Sequence, residues 1–202
     1  MRECSPTSTN PTILSIPAAC CAIALSAATA STAEANLVNL AQGREVTLAS
    51  GSISGGAVST MTDGAFLAAG TGWQAGTVWW TGTGAVFQIK FAGTVAVSGL
   101  LVQADNNDSY RVWYRDLASG NYLDLWTIGA VSGAGMRTRP NASDNGEVYN
   151  LGTSVFTDAI RIGAVGGDNM YSLSEVQAWG VVPSPGPIAL LCLVGAAGMR
   201  RR

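Results

Sequence analysis

The chain has 202 residues, a formal net charge of −2 and no histidine. The missing histidine excludes a Ser-His-Asp triad, His-based acid–base catalysis and every His-ligated metal site. Between Asn36 and Val182, seven Lys/Arg stand against eleven Asp/Glu, a net of −4 that argues against nucleic acid or anionic lipid as a partner.

In chain order, the first segment is Ile13 to Ala30, apolar and rich in small residues. It ends in Ala28-Thr29-Ala30, with a second small-residue site at Ala33-Glu34-Ala35. Both suit signal-peptidase cleavage, so residues 1–35 read as a signal peptide. Cys20 admits a lipoprotein reading, but Pro17 stands where a lipobox requires Leu. The four cysteines (Cys4, Cys20, Cys21, Cys192) all fall outside 36–182, which leaves that region without a disulfide.

Residues 36–182 have the length of one domain, long enough to build its own core. Phe87, Ile89 and Phe91 alternate with Gln88 and Lys90. Tyr110, Val112 and Tyr114 alternate with Arg111, Trp113 and Arg115, and Ile160 and Ile162 flank Arg161. Such period-two runs, separated by Gly/Asn/Asp turns, predict an all-β sandwich or barrel. Ala57 to Gly76 has little periodicity and reads as a long loop over one end of the sandwich, where long loops often carry function.

The last segment, 183–202, begins with Pro183, Ser184 and Pro185, continues as an apolar run from Ile188 to Met199, and closes on three arginines. The prolines stop the preceding strand. The apolar run falls short of the roughly 20 residues that span a bilayer. It reads either as a sorting signal with transient membrane insertion, its arginines held on the cytoplasmic side, or as a hydrophobic helix docked on the domain.

Two resemblances follow from these residues. The tail, with Pro183-Ser184-Pro185 where the family has Pro-Glu-Pro, resembles the PEP-CTERM tail of bacterial exported proteins. That resemblance implies processing by an exosortase-type membrane protease and a place at the cell surface. The segments Asn39-Leu-Ala-Gln-Gly-Arg-Glu-Val46, Thr62-Asp-Gly64, Trp73, Val86–Phe91, Tyr110–Tyr114, Ala159–Ile162 and Tyr171–Gly180 resemble, in that order, a discoidin domain (the coagulation-factor C-type, galactose-binding-like module). This implies an eight-stranded jelly-roll β-sandwich with its termini close together, its strands expected near 45–49, 86–91, 95–103, 110–115, 122–128, 147–150, 159–163 and 174–179.

The same resemblance implies one structural Ca²⁺ beneath the binding loops, with Asp63 and Glu175 in the positions of its carboxylate ligands. Ala65 and Ala68 replace the supporting oxygen side chains. The competing reading is that Asp63 opens a turn and Glu175 pairs with an arginine. Six tryptophans are present, most expected in the core. Trp79 and Trp80 are adjacent, so on an extended backbone only one faces inward. Asp105-Asn-Asn-Asp108 precedes the Tyr110 strand and is either a solvated turn or a set of donors and acceptors for sugar hydroxyls. The loops at Arg139-Pro-Asn141 and Asp168-Asn169 are weaker candidates of the same kind.

The leading expectation is therefore an exported, non-catalytic carbohydrate-binding module of an extracellular polysaccharide or biofilm matrix. Trp79 would be its stacking platform, and Asn106, Asn107 and Asp108 would crown the loop end. The rival is a structural or adhesive surface protein without a defined sugar pocket.

Overall fold

The computed structural model describes residues 36–182. The predicted signal peptide and the Pro183-Ser184-Pro185 tail lie outside them. Among the described residues no helix is long and apolar enough to cross a membrane. They form nine antiparallel strands: β1 (Val38–Asn39), β2 (Val46–Ser50), β3 (Val78–Thr81), β4 (Val86–Asp105), β5 (Ser109–Arg115), β6 (Tyr122–Ile128), β7 (Met136–Arg139), β8 (Tyr149–Gly166) and β9 (Met170–Val181). The path through the sheet is β1-β9-β4-β8-β5-β6, with β2 and β7 paired to β4 and β3 to β9.

The fold is all-β and a jelly roll, as predicted, but its strand count differs for a physical reason. The expected pairs 86–91/95–103 and 147–150/159–163 are each one long strand, β4 and β8. What separates their halves is a shift of register, not a turn. Residues 86–90 of β4 pair with 159–163 of β8, and the pairing resumes at Val95↔Thr157. Ala92, Gly93 and Thr94 are exposed at this corner. There β4 leaves β2, whose last rung is Val46↔Ile89, and takes up β9, beginning at Ala96↔Val181. A strand that changes partners in this way closes a sheet over its own apolar face.

That face is the core. Phe87, Ile89, Val97, Leu100 and Val102 of β4 meet Tyr110 and Val112 of β5, Ile160 and Ile162 of β8, and Leu173 and Val176 of β9, all fully buried. Trp80 caps the cluster, its ring edge-on to Phe87 at 5.0 Å and tilted over Tyr171 at 5.9 Å. The ends of the domain meet where Val38 pairs with Gly180. Three short strands (β1, β3, β7) were not predicted, because two to four residues cannot establish an alternation.

The 57–76 segment is a loop apart from a 3-10 turn at Val58–Thr62, which buries Met61 and Thr62. Gln103 holds it from β4, accepting from Leu67 N at 2.8 Å and donating to Leu67 O at 2.9 Å. From the other side Gly70 N donates to Met136 O, and Met136 N donates to Thr71 O. This approach of backbone to backbone requires Gly135, which sits at φ +60° and whose Cβ would run into the Thr71 carbonyl oxygen.

Candidate functional site

The link from β4 to β5 is the turn Asp105–Asp108, and Arg139 is what fixes it. The Arg139 side chain is buried, and its N–H groups donate to the carbonyls of Gly129, Ala104, Arg137, Asp105 and Asn106. Five carbonyls satisfy its fork of donors, which a Lys could not do. Burial still holds this guanidinium below its ordinary value, against the favourable charges of Asp105 and Asp108.

On that base the turn and two glycine-rich loops enclose a groove of about 470 Å³, lined by Trp73, Asp105, Asn106, Asn107 and Asp168 with Gly70, Gly72 and the Gly133–Gly135 stretch. Asn106 donates its side-chain amide to Gly133 O at 2.9 Å, and its carbonyl accepts from Val131 N at 2.7 Å. Asn107 is exposed and donates to Asp168 Oδ2 at 2.9 Å. Asp105 is buried and accepts from Asn106 N; desolvation raises its carboxyl, and the charge of Asp168 adds to the rise. A half-buried tryptophan, Trp73, thus lines one groove together with short amide and carboxylate groups.

Two predicted site residues lie elsewhere than expected. Asp108 does not crown the loop end: it is completely buried. Its Oδ1 accepts from Asp168 N at 3.3 Å, and its Oδ2 lies 3.3 Å from the Tyr110 hydroxyl, which itself accepts from Ser172 N. Gly167 covers the carboxylate, leaving no room there even for a Cβ. Desolvation pushes Asp108 up to about 6. The turn does not keep the strand's alternation: Asp105 and Asp108, three residues apart, both point inward, and Asn107 between them is exposed.

Trp79 is the second correction. Of the adjacent pair Trp80 is the fully buried one, as alternation requires. Trp79, half-buried in β3, does not line the groove; it meets Trp73 edge to face at 5.4 Å. Trp73 holds the position expected for Trp79. It sits in an irregular loop, so no periodicity distinguished it from the core tryptophans. Asp168, noted only as a loop candidate, stands in the groove beside Asn107.

Asp63 and Glu175, distant in sequence, come together beneath the 57–76 loop. Gly64 N donates to Glu175 Oε2 at 3.2 Å and Gln177 donates to Oε1 at 3.1 Å. Glu175 is completely buried, and burial pushes it up to about 7, with the charge of Asp63 adding to the rise. The ion pairs among the described residues are Arg111–Asp124 and Arg115–Asp158, so Glu175 does not pair with an arginine. Asp63 does open a turn, its Oδ1 accepting from Ala65 N at 2.8 Å. No group of three or more His, Cys, Asp or Glu that could hold a metal occurs among the described residues. Two carboxylates are hard oxygen donors of the kind Ca²⁺ takes, and the rest of its shell of about six to eight oxygens would have to come from backbone or water.

No protein-family model matches the sequence, and no curated protein does. Solved structures do match. The family 32 carbohydrate-binding module from C. perfringens NanJ, solved with galactose, aligns with a TM-score of 0.50 at 13% identity over 71% of this chain and 99% of its own. The lectin domain of lectinolysin, complexed with Lewis B antigen, aligns with a TM-score of 0.50 at 13% identity over 72% and 98%. Chitosan-binding module 1 of a chitosanase/glucanase from Paenibacillus sp. IK-5 aligns at 19% identity over 71% and 99%, with a TM-score of 0.47. The first two likenesses show that the jelly roll is shared.

Proposed function

We propose that residues 36–182 are a non-catalytic carbohydrate-binding module that takes a sugar in the groove between Trp73 and the Asn106-Asn107-Asp168 cluster. The observation that carries this reading is that half-buried Trp73 lines an open groove together with directional polar groups. An indole offers an apolar surface to the C–H face of a pyranose, while amides and carboxylates accept and donate to its hydroxyls. The jelly-roll neighbours, solved with galactose and with Lewis B antigen, agree with it. An adhesive protein without a pocket would present a flat end of Gly, Ala and Thr; the groove favours the module. Such a shallow site exchanges water hydrogen bonds for sugar hydrogen bonds, so single sugars bind weakly.

The finer reading places this module outside the cell. The apolar stretch in 1–35 acts as an export signal, and Pro183-Ser184-Pro185 with the 188–199 segment acts as a sorting tail processed by an exosortase-type protease. The ligand is then an extracellular polysaccharide. Asp63 and Glu175 hold a structural Ca²⁺ that neutralises the buried carboxylate and ties the 57–76 loop to β9. A glycan-array screen of the purified chain, with and without calcium, tests the main claim. Binding of a defined set of glycans, lost in Trp73→Ala, is expected; an array blank under both conditions refutes it.

A further inference from the structure

The alternation that buries Phe87, Ile89 and Phe91 turns Gln88 and Lys90 to the opposite face of β4. There they meet Arg161 of β8, Arg115 of β5 and Tyr122 of β6 in a second groove of about 550 Å³ that shares no residue with the first. An adjoining recess adds the half-buried ring of Trp113 beside Tyr122 and Arg161.

Charge sets this groove apart. Of the seven Lys/Arg in 36–182, Arg139 is buried, and three of the others (Lys90, Arg115, Arg161) line this one groove against a single carboxylate, Asp158. The domain carries a net negative charge, so the sign reverses locally. The groove is also held in shape before any ligand arrives. Arg161 stacks its guanidinium 3.7 Å from the centre of the Tyr122 ring and donates twice to Gln88 Oε1, at 3.1 and 3.0 Å. The Tyr122 hydroxyl donates to that same oxygen at 2.7 Å. Arg115 spends one terminal N–H on Asp158, at 2.6 Å. Lys90 is exposed and has no ion-pair partner among the described residues. A stacked guanidinium keeps its plane and its remaining donors fixed, which suits a planar carboxylate better than a mobile lysine alone.

We propose that this groove on the outer face of the β4-β8-β5-β6 sheet binds a carboxylate-bearing sugar, a uronate residue of an acidic polysaccharide. Lys90 and the free N–H groups of Arg115 and Arg161 meet the carboxylate, the Gln88 amide meets a hydroxyl, and the Trp113 and Tyr122 rings border the sugar. The inference takes from the proposed function only the ligand class, a glycan, and concerns a different face of the domain. Three cations suffice for one or two carboxylates but not for the phosphate tracking that nucleic acid demands.

The test titrates the full chain with β-1,4-linked triglucuronate and with cellotriose, which differ in carboxylate against hydroxymethyl, and with triglutamate as an acidic peptide. Triglucuronate should bind at least about tenfold more tightly than cellotriose, and the difference should shrink as salt rises. Lys90→Glu, an exposed change that leaves the core untouched, should remove the preference, while Trp73→Ala should leave it intact. Equal affinity for triglucuronate and cellotriose would overturn the inference, as would equal affinity for triglutamate or a preference lost in Trp73→Ala and kept in Lys90→Glu. A uronate preference that survives in a chain blind to neutral sugars would sink the Trp73 site alone and leave this one standing.

Discussion

Trp79 acts on the loop groove through its neighbour. It stands edge-on to Trp73 and is closed from behind by Gly55, where a Cβ would lie 2.7 Å from the indole, which places it to support the Trp73 ring. Trp73→Ala should therefore weaken binding to any glycan found on the array by at least about tenfold, roughly 1.4 kcal/mol. Trp79→Phe, which keeps an aromatic support, should change it far less; isothermal titration of both variants decides. Asn106 has a dual position. Its amide anchors the Val131–Gly133 stretch, so Asn106→Ala should cost about 1 kcal/mol of stability as well as affinity, measurable by urea denaturation. Asp108 supplies a pH signature. Its folded carboxyl is raised to about 6, above the ordinary 3.8 of the unfolded chain. Its contribution to stability is complete below about pH 4, falls as pH rises through 6, and is lost above that, a change of up to about 3 kcal/mol. Asp108→Asn retains an oxygen for Asp168 N and removes the titration. Denaturation of both proteins from pH 4 to 7 should show the wild type losing stability relative to the variant across that window. Parallel curves would mean that the buried carboxylate does not titrate there.

At the scale of elements, the groove exists because the 57–76 loop is pinned on two sides, by Gln103 and by the β7 edge. Gly135→Ala should break the second clasp, since alanine meets both a positive φ and the Thr71 carbonyl. A loss of about 1–3 kcal/mol is expected, together with weakened glycan binding. The calcium proposal belongs to the same loop. If Asp63 and Glu175 share the ion, saturating calcium should raise the melting temperature, and Asp63→Ala should abolish the rise. No shift on adding calcium would remove the cation and leave Glu175 as a buried acid held by Gly64 and Gln177. The long strands show what could be read from the residues alone. Alternation located the first half of β4, β5 and the second half of β8, and sent Tyr110 and Val112 inward as found, while β2, β6 and β9 came with the family resemblance. It could not show that β4 and β8 run through their register shifts unbroken, because a bulge and a turn both interrupt a period of two. Nor could it orient Asp108 or distinguish Trp73, whose surroundings come from loops with no period at all.

For the molecule as a whole, the pairing of β1 with β9 decides how much chain the fold needs. Val38 pairs with Gly180 and Asn39 with Trp179, so the first and last strands close the domain against each other. Asn39 adds a side-chain clasp, its Oδ1 accepting from Ala41 N at 3.1 Å and from Ala178 N at 3.3 Å. Every strand of the described sheet lies between Val38 and Val181. Cleavage near Ser31 or Asn36, and again near Pro185, would sever no rung of that sheet. The export reading accordingly makes a joint prediction. Mass spectrometry of the native protein should find a form beginning near Ser31 or Asn36 and ending near Pro185, and a recombinant chain of residues 36–182 should melt within a few degrees of that form. Shortening the chain to begin at Leu40 should cost far more, because it deletes the β1 rung and the Asn39 clasp together and leaves that edge of β9 unpaired. Recovery of an intact 202-residue chain from the cytoplasm would overturn the export reading while leaving the prediction for 36–182 in force, since that rests on the sheet alone.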